Sequence, residues 1–257
     1  MSKQPKYQQV ADVLRREIDK GTYGPGARLP SEADLATRFD ASRNTVRSGL
    51  NLLVSQGLIS SSQGLGYEVR KHEVFELNAS RFENLNFPQN GDAYSTDVTG
   101  VGRHPHQTFR VEVTTTPEYI AQRLKVEAGA RSVLRFCHRF VDEAPWSTQA
   151  THYPDWLIQM APRLTEPGDI AEGTTQYLAS LGIEQVGYAD EVATRMPTPE
   201  EARLLEIGAG VPVLLWTRTG YSTERPIRCT VTTLRGDLNR MNYEIGDLSA
   251  RDENEAQ

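Results

Sequence analysis

The sequence predicts an α+β protein with two domains, and three observations support this fold class. A chain of 257 residues is long enough for two domains of ordinary size. Residues 1–70 have the pattern of three short helices followed by a hairpin, whereas extended segments separated by turns dominate from Thr108 onward. The charge changes along with the pattern, since residues 1–72 hold 11 Lys/Arg against 7 Asp/Glu (+4) and the remainder holds 17 against 27 (−10). The overall charge of −6 therefore conceals a basic N-terminal segment, which is compatible with a nucleic-acid partner.

Composition excludes several classes of protein. With 38% hydrophobic and 24% charged residues, the chain has enough apolar side chains for a packed core, which excludes a wholly disordered protein. No apolar run approaches the ~18 residues of a membrane-spanning helix, and the polar N-terminus lacks the apolar stretch of a secretory signal. The two cysteines, Cys137 and Cys229, are too few for a zinc ribbon or a disulfide framework. We therefore expect a cytoplasmic protein with no membrane partner, no metal and no cofactor.

The first three helices are predicted from apolar spacing and capping residues. Apolar side chains recur at helical intervals over residues 6–20, and glycines from Gly21 onward end that helix. Ser31 is placed to cap a second helix. Ser42 is placed to cap a third helix, which runs to about Gln56.

The third helix and the segment after it have the pattern of a DNA-reading unit. Arg43, Arg47 and Asn51 follow i, i+4 spacing on one side of this helix. Extended residues up to Val69 flank a glycine-rich turn and predict a β-hairpin. Three helices and a hairpin form a winged helix-turn-helix, whose third helix enters the major groove with its N-terminal amides facing phosphate. A solvated helix face is the alternative interpretation of the arginines, and the order of the elements disfavours it.

Three motifs occur in a fixed order in this region. They are PGARLPSE at 25–32, SRNTVR at 42–47 and GLG at 64–66, and they resemble the DNA-binding domain of the GntR family over residues 5–70. Ala33, Asn44 and the Tyr67-Glu68 pair depart from the common family pattern, which leaves the operator sequence open. The resemblance and the helix geometry imply the following DNA-binding residues: Arg28, Ser31, Glu32, Ser42, Arg43, Asn44, Thr45, Arg47, Gly64, Leu65 and Gly66.

The second half of the chain predicts an antiparallel sheet with short helices between its strands. Segments such as Arg139–Asp142, Thr151–Pro154 and Arg235–Asp237 are similar to the UTRA effector-binding domain of the HutC subfamily, whose fold resembles chorismate lyase. This resemblance implies a small-molecule pocket and a homodimer formed through the domain. The domain organisation we expect is a DNA-binding domain at 1–71, a linker at 72–91, a UTRA-like effector-binding and dimerisation domain at 92–247 and a disordered acidic tail at 248–257.

The resemblance also indicates where an effector would bind. Members that bind phosphorylated sugars have two arginines two residues apart, and here these positions hold Cys137 and Arg139. Two glutamates of those members correspond to Gln149 and Arg228, so the class of effector stays open. The candidate effector-binding residues are Thr96, Arg139, Gln149, Thr151, Thr174 and Arg228. The alternative is that these are polar residues of a sheet surface or a dimer interface.

These observations predict a ligand-responsive transcriptional regulator that binds a palindromic DNA operator as a homodimer. Of the two signs of regulation, we expect repression. The sign of the effector response stays open. One alternative is a ligand-independent repressor with a degenerate pocket. Another is a lyase-like enzyme on the C-terminal fold, which the lack of an evident acid–base constellation disfavours.

Overall fold

The computed structural model describes residues 4–62, 66–70, 75–79 and 93–243. The chain forms two compact units. The first contains residues 1–74 together with 196–212 and 236–238, and the second contains residues 75–195, 213–235 and 239–257. The sequence predicted residues 92–247 as one domain, whereas two short segments of that range group with the N-terminal residues. The reason is local, because the segment around Gly210 packs closely against Ser55.

Only part of the predicted linker lies within the described residues. Phe75–Asn78 forms a strand, β3, which pairs in parallel with β10 at Asn239–Asn242. Ala79, directly after β3, donates its N–H to Asn242 O at 2.8 Å. Residues 72–74 and 80–91 of the predicted linker, and all of the predicted acidic tail at 248–257, lie outside the described residues.

The first unit has the predicted winged helix-turn-helix architecture. Its helices and strands are α1 (Lys6–Asp19), α2 (Glu32–Phe39), α3 (Arg43–Ser55), β1 (Ile59–Ser62) and β2 (Gly66–Val69), with α8 (Pro199–Leu204) from the second half of the sequence. Strands β1 and β2 form an antiparallel hairpin. The segment before α2 lies along β2, since Leu29 N–H donates to Tyr67 O and Val69 N–H donates to Ala27 O, each at 2.9 Å.

The core of this unit fixes the position of α3. Val46, Leu50 and Leu53 on α3 are fully buried. Burial of each such side chain contributes about 1.5–3 kcal/mol, so the buried face of α3 is strongly determined. The helix crosses α1 closely at Gly49, where a Cβ would lie 2.8 Å from the Tyr7 carbonyl oxygen. A larger residue at position 49 would push the two helices apart.

The two helices of the helix-turn-helix begin at the predicted caps. The Ser31 hydroxyl accepts the Asp34 N–H and the Ser42 hydroxyl accepts the Thr45 N–H, each at 3.2 Å. Asp40 ends α2 in the left-handed region (φ 47°), which lets the chain turn directly into α3.

The second unit contains the predicted antiparallel sheet. Its six strands lie in the order β4-β5-β6-β9-β8-β7, and every neighbouring pair is antiparallel. The strands are β4 (Pro105–Thr115), β5 (Arg131–Val141), β6 (Ala144–Pro154), β7 (Gly187–Arg195), β8 (Val213–Tyr221) and β9 (Pro226–Arg235). The helices are α4 (Ala93–Gly100), α5 (Glu118–Leu124), α6 (Asp155–Met160) and α7 (Thr174–Ser180), with a 3-10 turn at Pro162–Thr165. The α+β prediction is confirmed.

Candidate nucleic-acid interface and ligand pocket

The N-terminal turn of α3 presents a polar, cationic surface. Ser42, Arg43, Asn44 and Arg47 are exposed, and Thr45 is half-buried. The apolar residues of α3 point the other way into the core, so these side chains face solvent together. The partial positive charge of the helix N-terminus adds to the two arginines, and this combination favours phosphate.

Arg28 is brought to the hairpin by backbone pairing. Its backbone forms a bridge with Glu68 of β2, and its side chain is exposed. Gly66 begins β2 with φ +82°, a conformation that favours glycine. Gly64 and Leu65, which the sequence also predicted at DNA, lie outside the described residues.

Arg47 is held in place by a carboxylate. Its Nε and Nη2 donate to the two Glu32 carboxylate oxygens at 2.9 and 2.6 Å. The Tyr67 hydroxyl donates to Glu32 Oε1 at 3.2 Å, which joins the hairpin to both helices. The hydrogen bond from Arg47 holds the pKa of Glu32 below its usual value, so the carboxylate stays charged. A guanidinium has five N–H donors, so Arg47 keeps donors for a further ligand after binding Glu32.

Glu32 and Ser31, which the sequence predicted as DNA-binding residues, make contacts within the protein. Glu32 faces Arg47, so it orients a cation at the surface. The Ser31 hydroxyl caps α2 and donates to Asp34 Oδ2 at 2.6 Å. Sequence reasoning missed Tyr67 as a member of this group. The signal was its departure from the family pattern, but its contact with Glu32 spans 35 positions and follows only from the fold.

The second unit contains a cavity of about 160 Å³ on one face of the sheet. Strand pairing explains its lining, because residues two apart on a strand share a face. One row runs across β5, β6, β9 and β8 through Cys137, Gln149, Thr232 and Trp216, each paired with the next. The next row runs through Arg135, Thr151, Thr230 and Arg218 in the same order, and all eight residues line the cavity.

Five of the six candidate effector residues come together here. Arg139, Gln149, Thr151, Thr174 and Arg228 line the cavity. Thr96 does not belong to the lining, because it is an exposed residue of α4. Sequence reasoning missed other lining residues, including Gln107, Arg135, Trp216 and Arg218. Arg135 was detectable by alternation, since it lies four residues before Arg139 on β5.

The polar groups of the cavity include neutral hydroxyls and amides, guanidinium groups and two carboxylates. The Thr151 and Thr230 hydroxyls are 3.0 Å apart. Arg139 Nε donates to Gln107 Oε1 at 3.3 Å, and Arg228 Nε donates to the Gln185 amide oxygen at 2.9 Å. Hydroxyls, amides and cations offer hydrogen bonds to a small polar molecule, and the aromatic lining offers apolar contact.

Two lining arginines are held by the protein itself. Arg135 donates to the carbonyl oxygens of Leu164, Glu166 and Gly168. Arg218 forms two hydrogen bonds with the Asp190 carboxylate, at 2.8 and 2.7 Å. These contacts position the walls of the cavity.

The carboxylates of the cavity have structural partners. Glu172 pairs with Arg163, which lowers the pKa of Glu172, and Asp169 accepts the Ile170 N–H at 2.8 Å. Burial lowers the pKa of His152, which is not a lining residue. Among the described residues, no cluster of three or more His, Cys, Asp or Glu side chains is arranged for a metal ion. Within the same residues, no helix has the length and apolar character to cross a membrane.

Two family profiles and several relatives match the chain. Bacterial regulatory proteins of the gntR family match residues 6–69, and the UTRA domain matches residues 102–240. The HTH-type transcriptional regulator GgaR of Escherichia coli K12 is 27% identical, over 91% of this chain and 88% of GgaR. The mannosyl-D-glycerate transport/metabolism system repressor MngR of the same strain is 29% identical, over 86% of this chain and 87% of MngR.

A solved structure shares the fold of both domains. PhnF from Mycobacterium smegmatis aligns with a TM-score of 0.56 and 22% identity, covering 92% of this chain and 99% of that chain. The two matched ranges contain the cationic turn of α3 and the cavity of the sheet, respectively. The chain therefore belongs to the GntR family of bacterial transcription regulators and combines a winged helix-turn-helix domain with an effector-binding UTRA domain, the HutC-like architecture.

Proposed function

We propose that this regulator is a cytoplasmic repressor and not an enzyme. As a homodimer it would bind a palindromic operator, with an affinity set by a small molecule in the UTRA cavity. The observation that carries the proposal is the exposed N-terminal turn of α3, with Arg43 and Arg47 on one surface and Arg28 exposed beside β2. A relative that covers most of the chain is named a repressor, which supports the same sign of regulation.

In this proposal α3 is the recognition helix. Arg43 reads a base edge, because an exposed guanidinium at the start of α3 forms bidentate bonds with guanine O6 and N7. Arg47, oriented by Glu32, contacts a base or a phosphate, and Arg28 contacts the backbone near the hairpin. Two copies of α3, one per protomer, match half-sites about one helical turn apart.

The cavity supports a small polar effector. A guanidinium, paired threonine hydroxyls and aromatic rings face the same space, and the chemistry fits a molecule with several hydrogen-bonding groups. Such a molecule changes operator affinity only if it binds one arrangement of the dimer better than another.

The test begins with selection of DNA fragments by the purified full chain. Operator affinity is then measured for Arg43→Ala and Arg47→Ala, with Arg16→Ala, an exposed arginine of α1, as the matched control. Each α3 variant should lose about 1–3 kcal/mol of binding free energy and tolerate other bases at one operator position. The control should bind like the wild type. Wild-type affinity in both α3 variants would contradict the assignment of the recognition helix.

Further measurements test the dimer, the symmetry of the operator, the effector and the absence of enzymatic activity. Light scattering should give a dimer, and the selected sites should be palindromic. Thermal-shift screening against metabolites should stabilise the chain, and a hit should change operator affinity. Tight operator binding with no stabilising metabolite would favour the ligand-independent repressor. Turnover of a pyruvate ester by the full chain would favour the lyase-like enzyme.

A further inference from the structure

Two segments from the second half of the sequence make close contacts within the first unit. Gly210 has φ +81°, and a Cβ at this position would overlap the carbonyl oxygen of Ser55, the last residue of α3. Beside it, a Cβ on Gly57 would lie 3.6 Å from Val211 Cγ2. No side chain larger than hydrogen fits at position 210 without moving the loop away from the end of α3.

Arg70, directly after β2, holds the same loop from the hairpin side. Its side chain is 8% exposed, and its Nη1 lies 3.2 Å from the Asp237 carboxylate, which is 9% exposed. Nη2 donates to Ala209 O and Nε donates to Ile59 O, each at 3.4 Å. A Cβ on Gly208 would overlap the guanidinium, so the loop lies directly against it. A charge this deeply buried depends on its partners, so Arg70 fixes the loop and Asp237 together.

The held segments are continuous with two strands of the cavity. Strand β8 begins immediately after Pro212, and strand β9 ends immediately before Gly236. The Gly236 N–H donates to Pro212 O at 2.9 Å, which fastens the two segments to each other. The cavity residue Trp216 is four positions from Pro212, and Leu234 is two positions from Gly236.

We propose that Arg70, Gly210 and Asp237 form a coupling joint, through which the position of strands β8 and β9 controls the recognition helix. The proposal rests on the proposed function, since it requires an operator on α3 and an effector in the cavity. Arg70 is a positioning residue, because it is neither on the exposed face of α3 nor among the cavity-lining residues. Coupling is reciprocal, so operator binding should alter residues 213–235 as an effector would alter α3.

The test is amide hydrogen exchange of the full chain, with and without an operator fragment selected as above. In the wild type, operator should slow exchange at 205–212 and 236–238 and change it across 213–235. Arg70→Met should still bind the operator, but the change across 213–235 should disappear. Without DNA, this variant should also exchange about tenfold faster at 205–212, since a buried pair has lost one partner.

Two milder variants and one control complete the design. Asp237→Asn keeps the shape of the side chain, and Gly210→Ala displaces the loop while leaving Arg70 intact. Both variants should weaken the change in amide exchange that operator binding causes across 213–235. If circular dichroism shows that Arg70→Met does not fold, these two variants test the coupling joint in its place. Arg38→Met, which removes the exposed partner of Glu17, should leave this change in exchange unaltered.

Two results would overturn the coupling joint. One is a wild-type chain that binds operator without any change across 213–235. The other is a full change in the folded Arg70, Asp237 and Gly210 variants. Failure of the proposed function would be recognised in the wild-type chain alone, which would then select no DNA. The coupling joint would also be excluded in that case, because it requires an operator on α3.

Discussion

The two sites of this protein hold their arginines in opposite ways. On α3, Arg43 is exposed and the side chain of Arg47 is 55% exposed. In the cavity, Arg135 and Arg218 are only 5% and 4% exposed. An exposed guanidinium stays hydrated and keeps donors for an external anion such as the phosphate of the proposed operator, whereas a buried one must find its partners within the protein. The same residue type therefore marks the proposed DNA-binding surface in one domain and, at Arg135 and Arg218, structural support in the other.

The contacts of the buried arginines confirm that they are supports. Three backbone carbonyl oxygens accept hydrogen bonds from Arg135. Arg218 pairs with Asp190 and stacks on Trp216 and Tyr188, with its guanidinium carbon 4.4 and 3.7 Å from the two ring centroids. Removal of such a partner should act on folding, whereas removal of an α3 arginine should act on operator binding.

The largest effect on stability is expected for Asp190→Ala. This change leaves the buried Arg218 charge without its carboxylate, which should lower the free energy of unfolding by about 3–5 kcal/mol. Urea denaturation of the full chain measures the loss. The matched control is Glu191→Ala at the next position, whose exposed carboxylate pairs with Arg123 and should cost less than about 1 kcal/mol. Equal losses of unfolding free energy in the two variants would show that burial of the arginine does not determine how much its carboxylate partner stabilises the chain.

A smaller loss of stability is expected for Tyr67→Phe, which removes the hydrogen bond between the hairpin and Glu32. Loss of the hydrogen bond to Glu32 should cost about 0.5–1.5 kcal/mol of stability. Operator affinity should fall less than in Arg43→Ala, because Arg47 keeps both bonds to Glu32. Tyr7→Phe, which removes a hydroxyl bonded to its neighbour Gln8, serves as the control. An unchanged stability in Tyr67→Phe would show that the hairpin does not support Arg47.

The elements of the fold were predictable because their signals are local. The buried side of α3 and its Ser42 cap lie within one stretch of sequence. The six effector candidates were assigned from the resemblance to the UTRA domain; five of them line the cavity, and Thr96 is an exposed residue of α4 away from the lining.

The remaining features depend on contacts between distant positions. The role of Arg135 follows from a loop about 30 residues later, which supplies its three carbonyl partners. The grouping of 196–212 with the N-terminal residues follows from the close approach of Gly210 to Ser55. Strand alternation indicates which way Arg135 faces, but no periodicity or motif indicates its carbonyl partners or the grouping of residues 196–212.

The smallest expected effect is the pH dependence of the stability that the Arg47–Glu32 pair contributes. Arg47 lowers the pKa of Glu32, so their pair stabilises the first unit at pH values above the usual carboxyl pKa. This stabilisation is lost as the pH falls through the lowered pKa. Glu32→Gln should therefore be less stable than the wild type at neutral pH, by less than about 1 kcal/mol, and the difference should shrink on acidification. Thermal unfolding between pH 3 and 7 measures the difference, and a gap that widens toward low pH would contradict the assignment.

Operator affinity as a function of salt concentration shows whether exposed cations on α3 and beside the hairpin make the DNA contacts, as we propose for a chain with a net charge of −6. Fluorescence anisotropy with a selected operator should show log K falling linearly with log salt, by about 0.9 for each phosphate neutralised. Arg28→Ala should reduce this slope, and Arg16→Ala should leave it unchanged. A flat response to salt in the wild type would contradict the account.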